Sequence, residues 1–219
     1  MQINLVVFDL DGTLVKSHET IYKATLHVLN ELNIDGELPE EKFRTRIGLH
    51  FEDIFREFGI VVPDFEKFIR IYKAVYFDFM NSSELYKGAN EILDHIKSQN
   101  LMTALLTTKA QDQADRIIDH FGLRKKFDLI MGRRDGIAHK PSAEPLFKIC
   151  EELKAGAEET LIVGDSELDV QCGKNAGSKT CAVTFGYRKK EDLQKQYPDF
   201  LIDNLFELQY IIDKKKDDY

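Results

Sequence analysis

The sequence predicts an α/β fold, with a mainly parallel sheet covered by helices on both faces and a helical domain inserted after the first strand. Two observations support this prediction. From residue 85 onward, short apolar runs alternate with stretches whose apolar residues recur every three or four positions, as in strands that alternate with helices. Between residues 16 and 84 the helical spacing dominates. We therefore predict a core domain over 1–15 and 85–219 and a helical domain over 16–84.

The first predicted strand runs from Leu5 to Phe8 and is followed by two carboxylates, Asp9 and Asp11. A short, continuously apolar run is typical of a strand buried on both faces of a parallel sheet. Because ligands bind beyond the carboxyl ends of such strands, the two carboxylates are candidate functional groups. A simple turn is the alternative, since Asp and Gly favour turns. A calcium-binding loop is a poor match, because Thr20 stands where that loop requires Glu.

Four helices are predicted in the inserted domain, each from a stripe of apolar residues on one face. The stripes cover residues 21–32, 43–47, 51–58 and 65–79. The last of them is rich in aromatic residues, and we interpret these as packing against other helices or across a dimer rather than as a ligand pocket. The protein is thus predicted to be a monomer or a homodimer.

Five further strands complete the predicted core domain, at residues 101–106, 127–131, 161–163, 180–185 and 200–202. Helical stripes alternate with them, at residues 89–96, 111–121, 146–153, 168–176 and 208–212. Parallel strands place their carboxyl ends at one edge of the sheet, so polar residues that follow these strands are predicted to converge.

Composition restricts the possible partners of the protein. The chain has 219 residues, of which 43% are hydrophobic, and a net charge of −8. The hydrophobic fraction is typical of a globular protein, whereas the negative charge argues against general binding to nucleic acid or anionic membranes. Three widely spaced cysteines predict buried free thiols in a reducing compartment. Since no leader or membrane span is evident, we expect a cytoplasmic protein.

Chemically useful polar residues follow four of the predicted strands, in this order: Asp9 with Asp11, Thr107, Lys140, and Asp165 with Asp169. In isolation, each is most simply a turn residue, a helix cap or a solvated side chain. Their recurrence at successive strand ends is hard to explain by four independent accidents. The sequence therefore predicts one site at this edge of the sheet.

These residue types suit phosphoryl transfer. Asp9 and Asp165 offer the oxygen ligands that Mg²⁺ prefers, and a metal ion cancels the repulsion between a carboxylate and a phosphoryl group. Asp9 is expected to need no activating base, because a carboxylate with a pKa of about 4 is ionised at pH 7. Asp11 can protonate the leaving oxygen and later activate water. Thr107 offers a hydroxyl donor and Lys140 a positive charge to the phosphoryl oxygens.

The chain resembles the haloacid dehalogenase superfamily in four motifs: Asp9-Leu10-Asp11-Gly12-Thr13, Thr107, Lys140-Pro141 and Gly164-Asp165-Ser166-Glu167-Leu168-Asp169. The resemblance covers nearly the whole chain and extends to the order of the motifs. It implies a Rossmann-like three-layer core with an inserted helical cap. It also implies a phosphoaspartyl intermediate on Asp9. Mg²⁺ would be bound by Asp9, the Asp11 carbonyl and Asp165, with Asp169 supporting the metal site.

Among these relatives the chain is most similar to the phosphoglycolate phosphatase group, which implies a phosphatase for a small anionic metabolite, phosphoglycolate-like or a sugar phosphate. On this basis Thr108, Arg46 and Gly48 are assigned to substrate binding. The chain departs from the group at Thr108, where Asn is common, at Lys16, where Asp is common, and at Arg133-Arg134, which replaces a Gly-rich stretch. Lys16, Arg46 and Arg133 could attract a second anionic group, although each is more simply a solvated cation.

Other functions stay open. A β-phosphoglucomutase-like phosphotransferase would call for His near position 21, where this chain has Ile21, and His18 would need a shifted register. An inorganic pyrophosphatase of the same group remains an alternative. Dehalogenases of the superfamily lack the second Asp of the first motif, so Asp11 argues against that chemistry. The intact motif residues argue against a non-enzymatic binding module.

Overall fold

The structure, a computed structural model, describes residues 3–213. They form two compact units. One consists of the chain up to Leu14 and from Leu85 onward, and the other runs from Val15 to Glu84. The ends of the predicted core domain, 1–2 and 214–219, lie outside the described residues.

Helices make up most of the inserted unit: α1 (His18–Glu31), α2 (Glu40–Arg44), α3 (Phe51–Glu57), α4 (Phe65–Val75) and a 3₁₀ helix (Tyr76–Ser82). The prediction missed two short strands, Val15–Lys16 and Glu84–Leu85, which pair with each other. It also treated the last aromatic stripe as one helix, whereas the chain tightens into the 3₁₀ helix after Val75.

The aromatic stripe packs inside the inserted unit. Phe68 of α4 lies edge-to-face against Phe51 and Phe55 of α3, with ring centroids 5.2 Å apart in each pair. Phe68 and Tyr72 are buried. Edge-to-face pairs of this kind add to the stabilisation that burial provides. The interpretation of the stripe as helix-packing residues is confirmed for these side chains.

Six strands form the sheet of the core unit: β1 (Leu5–Phe8), β2 (Met102–Ala110), β3 (Leu129–Arg133), β4 (Thr160–Gly164), β5 (Lys179–Val183) and β6 (Phe200–Ile202). Their order is β3-β2-β1-β4-β5-β6, and every neighbouring pair is parallel. The helices of this unit are α5 (Ala89–Ser98), α6 (Gln111–His120), α7 (Glu144–Leu153), α8 (Glu167–Ala176), α9 (Lys190–Gln194) and α10 (Glu207–Asp213). The predicted α/β fold is confirmed.

The position of β1 in the centre of the sheet explains why its sequence is entirely apolar. Leu5 and Val7 belong to a buried cluster that includes apolar side chains of α7 and α8. Val6 and Phe8 alternate to the opposite face. All four side chains are fully buried, so a strand covered on both faces has no polar positions.

Strand register brings the ends of three strands into line. Phe8 of β1 pairs with Leu105 of β2 on one side and with Val163 of β4 on the other. The residues that follow these three positions therefore emerge at one edge of the sheet. This alignment positions the predicted site.

Strand ends differ from the prediction. Strand β2 continues to Ala110 instead of ending at Leu106, with a register shift against β3 between these two residues. Strands β3 and β5 are likewise displaced from the apolar runs that predicted them. Strand ends are set by hydrogen bonds to the neighbouring strand, which an apolar run does not reveal.

The three cysteines, Cys150, Cys172 and Cys181, are free and buried. Burial raises the pKa of the Cys172 thiol to about 12, so this thiol is neutral and unreactive at physiological pH. Among residues 3–213, no helix combines the length and the apolarity that crossing a membrane requires.

Candidate active site

Three buried carboxylates lie together at the predicted edge of the sheet. Asp9 follows β1, Asp165 follows β4, and Asp169 lies in the first turn of α8. One oxygen from each lies within 4.8 Å of the others, and the residues are only 8%, 3% and 1% exposed. We call these three residues the carboxylate cluster. Buried like charges at this separation repel one another unless a cation neutralises them.

Lys140 supplies part of that positive charge. Its Nζ donates to Asp9 Oδ1 and Asp169 Oδ1, both at 2.6 Å, and to the Leu106 carbonyl at 3.0 Å. The three ammonium donors are thus all used. Burial favours the neutral amine, but the carboxylates of Asp169 and Asp9 outweigh it and raise the pKa of Lys140 above its usual value. Lys140 is therefore a fixed positive charge beside Asp9.

Asp169 is held from two directions. Its Oδ1 accepts from Lys140, and its Oδ2 accepts from the backbone N–H of Ser166 at 3.1 Å and from the Ser166 hydroxyl at 2.6 Å. The bond from the Ser166 backbone N–H belongs to a capping box at the start of α8. A Cβ at Gly164 would overlap the Asp169 carboxylate, so the strand end has room for this carboxylate only because that residue is glycine.

Two glycines make room for Asp165. Gly12 has a positive φ of 82°, and a Cβ at either Gly12 or Gly186 would overlap the Asp165 side chain. The Asp165 Oδ2 accepts from the Tyr187 backbone N–H at 2.6 Å. Burial, together with the other two carboxylates of the cluster, raises the pKa of Asp165 well above its usual value. Ionised Asp165 therefore requires a compensating cation.

The pKa of Asp9 corrects one expectation. Burial raises this pKa from 3.8 to about 7, and the carboxylates of Asp169 and Asp11 add to the rise, although Lys140 opposes it. The expectation that Asp9 has an ordinary pKa near 4 was wrong, because the sequence does not reveal the burial. In the absence of a further cation, Asp9 is only partly ionised at neutral pH.

The cluster fits a divalent cation. Its donors are carboxylate oxygens, the ligands preferred by hard ions such as Mg²⁺. Lys140 is one positive charge against three carboxylates, and an ion of charge +2 would balance the remainder. The side chain of Asp11 is not part of the cluster, and the assignment of its carbonyl as a metal ligand stays a prediction.

Asp11 instead faces Lys109, a residue outside the four sequence motifs. Its Oδ2 lies 3.3 Å from Lys109 Nζ, and the two side chains are 10% and 9% exposed. Lys109 also donates its backbone N–H to Thr107 Oγ1 at 3.3 Å. Lys109 lies two residues after Thr107 at the same strand end, and this position is the signal that could have identified Lys109.

The predicted substrate-binding residues are divided between the core unit and the inserted unit. Thr107 and Thr108 line a pocket of the core unit whose lining also includes Lys140. Arg46 and Gly48 belong to the inserted unit, where Arg46 forms a bidentate ion pair with Glu57 at 2.7 Å for each bond. The substrate-binding assignment of all three residues, Thr108, Arg46 and Gly48, stays a prediction.

Removal of divalent metal is expected to make thermal stability fall as the pH rises from 5 to 8. The folded-state pKa of Asp9, about 7, lies above its ordinary value of 3.8. Folding therefore takes up a proton in this range, and the associated stability is lost as the pH rises through about 7. Melting temperatures measured in EDTA should show the decline, and saturating Mg²⁺ should reduce it.

Asp9→Asn is the control for this titration, because the amide keeps the shape of the side chain and cannot ionise. Its melting temperature in EDTA should depend less on pH between 5 and 8 than that of the unaltered protein. Parallel pH profiles for the two proteins would contradict the raised pKa of Asp9.

Comparison with known proteins agrees with this geometry. The model of a family described as haloacid dehalogenase-like hydrolase matches residues 6–183. The chain is also similar to the pyrophosphatase PpaX of Bacillus mycoides (strain KBAB4). The two are 33% identical over 217 residues, which cover 98% of this chain and 99% of the relative.

Two solved structures have the same fold. A protein of Clostridium acetobutylicum, described as a predicted phosphatase, has a TM-score of 0.84 and 26% identity, over 98% of this chain and 100% of that protein. CbbY of Rhodobacter sphaeroides, solved in complex with phosphate, has a TM-score of 0.83 and 21% identity, over 94% of this chain and 96% of that protein. At the lower identity the similarity shows the fold alone.

Proposed function

Because the chain belongs to the family of haloacid dehalogenase-like hydrolases, we propose that it is an Mg²⁺-dependent phosphohydrolase for small phosphorylated metabolites. The coarser statement, a hydrolase of the phosphatase or pyrophosphatase type, follows from the family and its relatives. One observation carries the proposal. Lys140 Nζ lies 2.6 Å from Asp9 Oδ1, inside a buried cluster of three carboxylates.

The proposed roles divide the reaction between a few side chains. A carboxylate oxygen of Asp9 attacks phosphorus while the bond to the leaving oxygen breaks, and Asp11 gives its proton to that oxygen. The product is a phosphoaspartyl group on Asp9. Asp11 then takes a proton from water, whose oxygen attacks the same phosphorus. The bond to Asp9 breaks, so that inorganic phosphate leaves and the carboxylate is restored.

The surrounding groups are proposed to stabilise the charge on the phosphoryl oxygens and to orient the two reacting carboxylates. Lys140 stabilises the phosphoryl oxygens and keeps Asp9 oriented, while the Thr107 hydroxyl donates to the same oxygens. Lys109 holds the Asp11 side chain. Bound Mg²⁺, held by Asp9, Asp165 and a backbone carbonyl, would supply the charge that offsets repulsion between Asp9 and the phosphoryl group.

Two substrate classes are candidates. Similarity to pyrophosphatase PpaX over nearly the whole chain favours inorganic pyrophosphate. Resemblance of the motifs to the phosphoglycolate phosphatase group favours a phosphate monoester, with Thr108, Arg46 and Gly48 as proposed substrate-binding residues. The same reaction serves both classes, because only the group attached to the leaving oxygen differs.

A substrate panel tests the proposal. The purified protein is incubated with Mg²⁺ and with pyrophosphate, phosphoglycolate, sugar phosphates or p-nitrophenyl phosphate, and released phosphate is measured against Asp9→Asn. Release from pyrophosphate alone would identify a pyrophosphatase, and release from monoesters a phosphatase. Isomerised sugar phosphate would identify a mutase. No turnover of any compound would overturn the proposal in favour of a binding module.

Asp11→Asn is expected to lower kcat by about 10²- to 10⁴-fold, the usual contribution of a general acid–base. The loss in the first step should be greatest for substrates with poor leaving groups, because p-nitrophenolate departs without a proton. Burst kinetics with p-nitrophenyl phosphate and an alkyl phosphate measure this difference. If the first step slows equally for both substrates, Asp11 is not the acid.

A further inference from the structure

Arg133 lies beside the proposed phosphoryl site but has no part in the reaction described above. It ends β3 and lines the same pocket as Thr107, Thr108 and Lys140. The residue is half-buried, and within residues 3–213 the structure records no hydrogen bond or ion pair of its guanidinium. A half-buried guanidinium without a partner is suited to binding a ligand that brings its own negative charge.

The neighbouring Arg134, in contrast to Arg133, is bound by other groups of the protein. Arg134 donates through Nε to Gln111 Oε1 at 3.0 Å and through Nη2 to the Ile130 carbonyl at 3.1 Å. It also lies 3.7 Å from a carboxylate oxygen of Glu152. Arg134 is therefore held by the protein, whereas Arg133 is not, although the two are adjacent in sequence.

The lining of the pocket has the charge that an anion needs. No carboxylate belongs to the lining among the described residues, and of its three cations Lys140 and Arg134 are already paired, which leaves the guanidinium of Arg133. Thr107 and Lys140 belong both to this pocket and to the proposed phosphoryl site. A phosphoryl group bound at Asp9 would therefore lie next to the residues that line this pocket.

We propose that Arg133 binds a second anionic group of the substrate, a phosphate or a carboxylate, and so selects compact substrates that carry two anionic groups. This inference rests on the proposed phosphohydrolase function and adds a specificity-determining residue to it. Guanidinium binds both kinds of group through two parallel hydrogen bonds. Inorganic pyrophosphate and phosphoglycolate share this chemistry, and p-nitrophenyl phosphate lacks the second anion.

A purely protective role is the competing explanation. Strand β3 is at the edge of the sheet, and charged side chains on edge strands discourage pairing with other chains. That role predicts that substitution of Arg133 promotes aggregation without changing the preference among substrates. The two explanations therefore separate in a kinetic comparison.

The test compares Arg133→Gln with Arg116→Gln, which removes an exposed arginine of α6 that does not line the pocket. With Mg²⁺, Arg133→Gln should lower kcat/KM for pyrophosphate or phosphoglycolate by about 10- to 100-fold, the scale of a charged hydrogen-bonded contact. Turnover of p-nitrophenyl phosphate should change by less than about twofold. Arg133→Lys should retain part of the preference, and Arg116→Gln all of it.

Direct binding separates failure of this inference from failure of the proposed function. Calorimetric titration of Asp9→Asn with pyrophosphate and Mg²⁺ should show an affinity that falls about 10- to 100-fold when Arg133→Gln is added. If the unaltered protein hydrolyses no phosphate compound, the proposed function fails, and this titration still decides the role of Arg133. An equal loss for all three substrates, or no change in kinetics and binding, would overturn the inference. The inference would also be overturned if the protein hydrolysed p-nitrophenyl phosphate but neither bound nor hydrolysed pyrophosphate or phosphoglycolate.

Discussion

Asp9→Asn is expected to lower phosphate release on the order of 10⁴-fold or more, the scale seen when a covalent nucleophile is removed. An amide is a poor nucleophile, and it cannot form the phosphoaspartyl group. The fold should persist, because Asn has the same shape and its oxygen can still accept from Lys140 Nζ, which lies 2.6 Å from Asp9 Oδ1 in the unaltered protein. Phosphate release with the preferred compound of the panel measures the loss.

Asp192→Asn is the matched control, since it makes the same chemical change at an exposed position of α9. It should have full activity, because an exposed ion pair with Lys195 contributes little. Acid quench of the unaltered protein during turnover should also trap a phosphoryl group that Asp9→Asn lacks. Activity of Asp9→Asn equal to that of the unaltered protein would refute Asp9 as the nucleophile.

The sequence predicted the sheet and the position of the site because both depend on local patterns. The apolar run that precedes Asp9 indicates a strand buried on both faces, and the run that precedes Asp165 indicates another. The parallel arrangement then requires both ends to meet. The topology rules used in the prediction hold for any sheet of this kind.

Contacts between distant segments could not be predicted in the same way. The pairing of Lys109 with Asp11 joins residues 98 positions apart in sequence, and the local pattern around either residue does not show which side chain it meets. The raised pKa of Asp9 depends on burial and on Asp169, which belongs to a helix that begins more than 150 residues later. Such effects depend on the packing of the whole core unit.

Asp169 illustrates how the structure refines a motif. The resemblance implied that it supports the metal site. The structure shows both of its oxygens accepting hydrogen bonds, one from Lys140 and the other from Ser166. We therefore propose that Asp169 acts chiefly by positioning Lys140, and through it the carboxylate of Asp9.

The Lys140→Met variant should lose both stability and activity. Removing one partner of a buried ion pair leaves the other charge without compensation, which costs about 3–5 kcal/mol. Lys140 holds the pKa of Asp9 down, so its loss raises that pKa further and lets Asp9 accept a proton. The loss in the free energy of unfolding should therefore be larger at pH 8 than at pH 5. Urea unfolding at the two pH values measures it.

The double variant Lys140→Met, Asp169→Asn separates stability from catalysis. The second change removes the charge of one of the two carboxylates that lost Lys140, so part of the lost free energy of unfolding should return. Activity should stay about 10²- to 10³-fold below that of the unaltered protein, the usual cost of losing one group that stabilises charge in the transition state. If the double variant regained activity together with stability, Lys140 would be a structural residue. If the double variant regained stability but not activity, the charge of Lys140 would be needed for the reaction itself. In that variant Asp9 would lie in a folded site but would lack the cation that orients its carboxylate.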